Sequence, residues 1–270
     1  MRFVLSIAGS DTSAGAGIQQ DLKTITALGH YALTVTTALT AQNSLGVRAV
    51  MPVPVEVLGA QIDAVLEDFE LDAVKIGMLP ELESARVVVD RLVGLGVPVV
   101  CDPVMVSTSG TVLMSEECRS FVVERLFPLC SLVTPNIPEA LCLSGLLGCG
   151  GDADDLVSLG WDLVGGLGTS VLLKGGHGSG DVMCDRLFRR GENDVVAFSS
   201  PRIVTSNLHG TGCTLSSAIA AFLAEGLGLE AAVERAKGVV DLAIRNAAGL
   251  RLGHGNGALW LGGRDCFGQK

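Results

Sequence analysis

Residues 3–39, FVLSIAGSDTSAGAGIQQDLKTITALGHYALTVTTAL, decide the fold. Phe3 to Gly9 is a short, nearly continuous apolar run, as expected of a strand buried on both faces. A glycine-rich turn, Ser10 to Gly17, follows. Ile18, Leu22, Ile25 and Leu28 then recur at spacings of four, three and three. That spacing predicts a helix with an apolar stripe, stopped by Gly29. Ala32 to Leu39, rich in Thr and Val, predicts the next strand.

The same alternation continues outward. Leu58, Ile62, Val65 and Leu66 predict a helix, and Val74 to Gly77 a short strand. Leu82, Ala85, Val89 and Leu92 predict a helix, and Val97 to Cys101 a strand. Ser131 to Thr134 and Val171 to Gly175 are further strands. Val182 to Arg189 and Val195 to Phe198, around Gly191-Glu192-Asn193-Asp194, predict a hairpin. Helices follow from about Thr211 to Ala224 and from Glu230 to Ala247. Strands alternating with helices imply a mostly parallel sheet covered on both faces, with an antiparallel edge at the hairpin. No linker, low-complexity tract or repeat divides residues 1–270, so one domain is expected. Ligands of such sheets sit beyond the carboxyl ends of strands, so the loops after Gly9, Gly77, Cys101, Thr134 and Gly175 should converge.

Composition narrows the function. The formal net charge is −10 and no basic run exists, which argues against nucleic acid but not against a nucleotide held by a few placed donors. Eight scattered cysteines show no zinc spacing, and the N-terminal apolar run is too short for a signal peptide. Reduced thiols in a cytoplasmic protein are expected, and no apolar run approaches a membrane span.

Four stretches can carry chemistry. Asn207-Leu208-His209-Gly210-Thr211-Gly212-Cys213-Thr214 runs straight into an apolar-periodic helix. Gly210 and Gly212 permit a tight turn, and the first free N–H groups of the helix would face an anion. Cys213, in the first turn, should have a lowered pKa because the helix dipole favours the thiolate, and could then act as a base or as partner to a substrate hydroxyl. The plainer readings are a glycine turn and a small buried thiol. Gly9 to Gly17 lacks both the dinucleotide fingerprint and the P-loop pattern, so it should line a substrate pocket. On the following helix, Asp21 is either solvated or a ligand to a polar substrate. Asp102-Pro103-Val104-Met105 and Thr134-Pro135-Asn136-Ile137-Pro138-Glu139 leave strand ends; Asp102, Asn136 and Glu139 can hold hydrated Mg²⁺, or merely begin loops and a helix. Lys174, before Gly175, Gly176 and His177, can neutralise a phosphate or reach solvent.

Taken together, IAGSD, GAGIQ and DLKT near the start, then TALTAQNSLGV, KIGML, DPVM, TPNIPEA, LLKGGH and HGTGCTLSSAIAA, resemble the hydroxymethylpyrimidine (phosphate) kinase family over nearly the whole chain. The resemblance implies a ribokinase-like three-layer αβα sandwich. It implies ATP-dependent phosphorylation of 4-amino-5-hydroxymethyl-2-methylpyrimidine and then of its monophosphate, with Mg²⁺. By the same resemblance, Asp21 and Gln42 would hydrogen-bond the aminopyrimidine, with Gly9 and Ala16 lining its pocket. Gly210, Thr211, Gly212 and Cys213 would form the anion hole, Asp102, Asn136 and Glu139 the Mg²⁺–phosphate region, and Lys174 and Lys237 would lie near ATP. Many relatives are dimers, so a homodimer is expected. The pattern departs at Ala14, where a glycine is usual, and at Gln20 and Leu208; the ending Gly253 to Gly257 matches only in part. A pyridoxal kinase of the same superfamily is the nearest rival. A non-catalytic sensor and a thiol enzyme built on Cys213 are more distant ones.

Overall fold

The structure, a computed structural model, describes residues 1–106, 110–175 and 180–262. Gly176 and His177, which follow Lys174, lie outside the described residues. Along the chain run β1 (Phe3–Asp11), α1 (Gly17–Ala27), β2 (Tyr31–Asn43), β3 (Gly46–Pro52), α2 (Val55–Asp68), β4 (Ala73–Ile76), α3 (Leu82–Leu92), β5 (Val99–Cys101) and α4 (Glu116–Phe121). Then come β6 (Leu132–Val133), α5 (Ile137–Leu146), α6 (Leu156–Leu167), β7 (Ser170–Leu173), β8 (Val182–Phe188), β9 (Val195–Pro201), α7 (Thr211–Ala224) and α8 (Leu229–Ala247).

The strands form one sheet in the order β3-β2-β1-β4-β5-β6-β7-β8-β9. From β2 to β7 every neighbouring pair is parallel. The predicted hairpin, β8–β9, is antiparallel, as is the β7–β8 pair. The opposite end carries an antiparallel strand that the sequence reading did not anticipate: β3 pairs with β2 from Ala38↔Pro52 to Asn43↔Gly46. Its connection, Ser44-Leu45, lacks the Asn-Gly type of signal that marks a tight hairpin.

Alternation along each strand sorts the two helical layers. Leu5, Ile7, Val74, Ile76, Val99, Cys101, Val133, Val171 and Leu173 pack with α2, α3, α4, α5 and α6. Val4, Ala73, Val100, Leu132 and Leu172 face α1, α7 and α8. This is the expected three-layer αβα sandwich. One detail of the first helix differs from expectation. Leu22 is exposed, while α1 buries Gln20, Asp21, Thr24 and Ile25. The helix is turned so that its polar side meets polar partners on the sheet and on α7. No helix among the described residues is long and apolar enough to cross a membrane. All seven cysteines described carry free thiols.

Close packing of α6 on β8 gives a direct test. A Cβ on Gly160 would lie 2.2 Å from Cζ of Phe188, a buried ring that is also edge-on to Trp161. On the same helix, a Cβ on Gly165 would meet nothing within 4 Å. Gly160→Ala should lower unfolding free energy by about 1–3 kcal/mol through overpacking. Gly165→Ala should raise it by up to about 1 kcal/mol through helix propensity. Urea titration of both variants checks the contrast.

Candidate active site

A cavity of about 510 Å³ opens at the carboxyl edge of the parallel strands. The ends of β1, β4, β5, β6 and β7 contribute; the loop expected after Gly175 lies outside the described residues. Gly9 and Asp11 come from the end of β1, Gly77 and Met78 from beyond β4, and Asp102 and Val104 from beyond β5. Asn136 and Glu139 follow β6, and Lys174 follows β7. Residues 208–213 close the cavity from the other side, together with Ala16, Gly17, Thr40 and Gln42.

The start of α7 is shaped by Gly210, its N-cap, with φ of 86°. A Cβ there would lie 1.9 Å from the Gly15 carbonyl oxygen, so both conformation and space require glycine. The Thr211 N–H and hydroxyl both donate to the Leu208 carbonyl, and the Thr214 N–H donates back to Gly210. Among the described residues, the N–H groups of Gly212 and Cys213 find no acceptor. They are the orphan donors of a helix N-terminus and they open on the cavity.

Beneath Cys213 lies a wholly buried ion pair. The Lys75 ammonium, on the short strand β4, donates to Asp21 Oδ2 at 2.7 Å, and neither side chain is exposed. The Ser6 and Ser217 hydroxyls donate to the same carboxylate at 2.6 and 2.8 Å. Burial opposes the Lys75 charge, but Asp21 first, then Cys213 and Asp102, outweigh it and push its pKa up. Asp21 therefore does not reach the cavity as a heterocycle ligand. Its oxygens are spent on Lys75 and two hydroxyls, and it acts as the counterion beneath the site.

The thiol of Cys213 also departs from expectation. Burial pushes its pKa up to about 11; Lys75 pulls it down, Asp21 and Asp102 push it up, and a hydrogen bond from the Gly17 N–H pulls it down. Desolvation thus exceeds the help of Lys75 and the Gly17 N–H, and Cys213 is a thiol at neutral pH.

Beside Gly212, the Lys174 ammonium is 2.7 Å from Asp102 Oδ1 and 4.0 Å from Glu139 Oε2. Thr134 donates to the same Asp102 oxygen at 3.2 Å. Asp102 Oδ2 faces Gly212, where a Cβ would lie 2.8 Å away. Burial raises Glu139 to about 7, against the lowering effect of Lys174. Asn136 does not present its side chain as a metal ligand. Its Oδ1 accepts from the Glu139 N–H at 2.8 Å, while Glu139 Oε2 accepts from the Asn136 N–H at 2.8 Å, a reciprocal capping box at the start of α5. Lys237 is not among the residues lining the cavity. It donates to Asp185 Oδ2 at 2.6 Å, and Asp185 Oδ1 accepts from the Gly175 N–H, so Lys237 is tied to the loop beyond β7.

Gly9, Ala16 and Gln42 line the cavity. Two residues beside them were given no role in the sequence reading: Asp11 and His209. Asp11 gathers the first loop, accepting the N–H groups of Ser13, Gly15 and Ala16 and the Ser13 hydroxyl. His209 Nε2 lies 2.9 Å from Asp11 Oδ2 and 3.1 Å from the Gln42 amide. Burial works against the Asp11 charge, yet the hydrogen bonds from His209 and Ser13 outweigh it and hold the carboxyl below its usual range. The spacing Asp11-Thr12-Ser13 was the available signal, since Asp accepting from two residues on is a common turn. The three unusual positions also find places. Ala14 has φ of 57°, the left-handed conformation that a glycine adopts freely. Gln20 is buried and donates to Thr214, and Leu208 is half-exposed at the cavity rim.

A mostly parallel sheet between two helical layers, with a glycine-led helix terminus facing a lysine–aspartate wall, defines a small-molecule phosphotransferase of the ribokinase-like class. Known proteins carry this further. The family described as phosphomethylpyrimidine kinase matches residues 11–260. A hydroxymethylpyrimidine/phosphomethylpyrimidine kinase of Rhizobium meliloti is 46% identical over 255 residues, covering 94% of this chain and 95% of that protein. The Escherichia coli protein of the same description is 42% identical, covering 94% of each. A crystal structure of phosphomethylpyrimidine kinase from Clostridium difficile is 39% identical with a TM-score of 0.77, covering 90% of this chain and all of that one. The pyridoxal kinase of Staphylococcus aureus, solved with AMP-PCP and pyridoxal, is 31% identical with a TM-score of 0.86, covering 98% and 95%. The chain belongs to the phosphomethylpyrimidine kinase family.

Two measurements test the buried chemistry. Asp21→Asn or Lys75→Met alone should each cost about 3–5 kcal/mol, because each strands a buried charge or its partner. The double variant should recover at least about 2 kcal/mol relative to their sum, as read by urea unfolding; additive losses would show the pair is uncoupled. Alkylation of Cys213 by iodoacetamide, followed by peptide mass spectrometry, should keep rising as pH passes about 10, as a thiol of raised pKa requires. A plateau by about pH 8 would instead show a thiolate.

Proposed function

We propose that the cavity phosphorylates 4-amino-5-hydroxymethyl-2-methylpyrimidine, and then its monophosphate, with ATP as donor. The observation that carries this reading is the opening of the free Gly212 and Cys213 N–H groups onto the same cavity that holds Gln42, with Lys174 beside Gly212. A transferring phosphoryl group needs fixed positive ends more than covalent help. The first turn of α7 supplies two such donors, and Lys174, charged through Asp102 and Glu139 in spite of its burial, supplies a cation.

The chain's own residues then have distinct tasks. Gln42 pairs with the edge of the heterocycle, since an amide can both donate to a ring nitrogen and accept from an exocyclic amine. Gly9 and Ala16 leave a smooth wall for a planar ring. Cys213 orients the substrate hydroxyl, and its minor thiolate form accepts the hydroxyl proton as the oxygen attacks, returning to the neutral thiol. The Lys75 ammonium beside it stabilises that thiolate before the proton arrives. Asp102 and Glu139 fit a hydrated Mg²⁺, with Asp102 Oδ2 turned toward the start of α7; bound there, the ion would neutralise ATP phosphate charge. Lys237, held through Asp185 to the loop beyond β7, serves the nucleotide side.

A coupled ATP-consumption assay with hydroxymethylpyrimidine, its monophosphate and pyridoxal tests the reading. Turnover should be fastest with the pyrimidines; strong preference for pyridoxal would reverse the assignment in favour of the activity named in the Staphylococcus aureus structure. Cys213→Ala should lower kcat by about 10²-fold while leaving ATP affinity within about twofold. Wild-type turnover in that variant would reduce Cys213 to a packing role.

A further inference from the structure

Around Gln42, every hydrogen-bonding group has a fixed direction except the amide itself. Asp11 Oδ1 accepts from the Ser13 N–H and hydroxyl at 2.9 and 2.8 Å, and Oδ2 accepts from the Gly15 and Ala16 N–H groups at 3.1 and 2.9 Å. Four donors converge on an ionised carboxylate, which can only accept. His209 Nε2, 2.9 Å from Oδ2, must therefore carry a hydrogen, whether the ring is neutral or charged. A ring nitrogen with a hydrogen in its plane has no lone pair to offer. The end of the Gln42 amide that lies 3.1 Å from Nε2 must then be its carbonyl oxygen.

The other end of the amide gives the same answer independently. It lies 3.2 Å from the Thr40 hydroxyl, whose single hydrogen is already donated to the Ser10 carbonyl at 2.9 Å. Thr40 can only accept there, so the NH₂ group belongs on its side. The structure has Nε2 toward His209 and Oε1 toward Thr40, but the two ends of an amide are alike in shape, and the surrounding donors and acceptors require the reverse.

We infer that His209 is a positioning residue that locks the Gln42 amide with Oε1 toward His209 and NH₂ toward Thr40. His209 is itself fixed from behind: its N–H donates to Gly257, its carbonyl accepts from Leu259, and a Cβ on Gly15 would lie 2.5 Å from its ring. The order of donor and acceptor along the amide decides which way round a ligand binds. The consequence for orientation rests on the pyrimidine reading above. The ring nitrogen then meets the Gln42 N–H on the Thr40 side, and the amine meets Oε1 on the His209 side. The hydroxymethyl group, next to the amine on the ring, follows it toward Gly210 and the start of α7.

Two measurements test this inference. Long-range ¹H–¹⁵N correlation spectra of the ligand-free protein, with His209 assigned by loss of its signals in His209→Gln, should show a protonated Nε2. A bare Nε2 with hydrogen on Nδ1 alone overturns the inference. In kinetics, His209→Leu should raise KM for the aminopyrimidine about tenfold, the cost of about one misdirected hydrogen bond, with kcat and the KM for ATP within about twofold. His209→Gln, which places an N–H donor at similar reach, should restore most of that loss. Equal KM losses in both variants would make His209 a packing residue only. The spectra need no substrate, so absence of pyrimidine turnover in the wild type would sink the functional reading and leave the amide orientation standing.

Discussion

The backbone at Gly210 lies so close to the Gly15 carbonyl that a methyl group there would sit 1.9 Å from the oxygen. This approach presses the start of α7 against the first loop, and the rest of the site depends on it. The loop is in turn gathered by Asp11, and Asp11 is joined to His209, the residue just before Gly210. The Gln42 side of the cavity and the start of α7 are therefore joined in one hydrogen-bonded junction. The chain's C-terminal stretch braces the same junction, since Gly257 and Leu259 hydrogen-bond to His209 and the N–H groups of His254 and Gly255 donate to Ser44 in the β2–β3 turn.

Electrostatics add a second layer under the first. A lysine on a central strand would be costly alone, but Asp21 reaches it from α1, and Ser6 and Ser217 complete the carboxylate's shell. The pair places a fixed positive group directly beneath a thiol that burial otherwise keeps protonated. Next to Gly212, the Asp102–Lys174 pair lines the cavity. The Lys75–Asp21 pair is wholly buried, whereas the Lys174–Asp102 pair keeps a little of the lysine open to the cavity.

Most of the fold was legible because glycine turns and apolar periodicity agree along this chain. The α7 boundaries follow from the Gly210–Gly212 turn and the apolar helix behind it, and the β8–β9 hairpin from its polar turn. β3 was not legible: half-exposed on an edge, and joined through Ser44-Leu45, it shows neither a clean alternation nor a turn signal. The face of α1 was misread because Leu22 fits the stripe, while the buried side is held by Gln20, Asp21 and Thr24, whose partners lie far along the chain. The same cause hid Asp21's role. Nothing near residue 21 says that Lys75 will stand opposite, although a lysine inside an apolar four-residue strand is a signal that a counterion is needed. The Cys213 pKa was misjudged because position at a helix start was visible in the sequence and burial was not.

The central claim is that the first turn of α7 receives the migrating phosphoryl group while Gln42 holds the acceptor. A crystal structure with ADP, aluminium fluoride and hydroxymethylpyrimidine tests it most directly. The account predicts the fluoride group within hydrogen-bond reach of the Gly212 and Cys213 N–H groups, the pyrimidine edge on Gln42, and the hydroxymethyl oxygen beside Cys213. Fluoride density bound away from that turn, or a ring seated elsewhere than against Gln42, would contradict it.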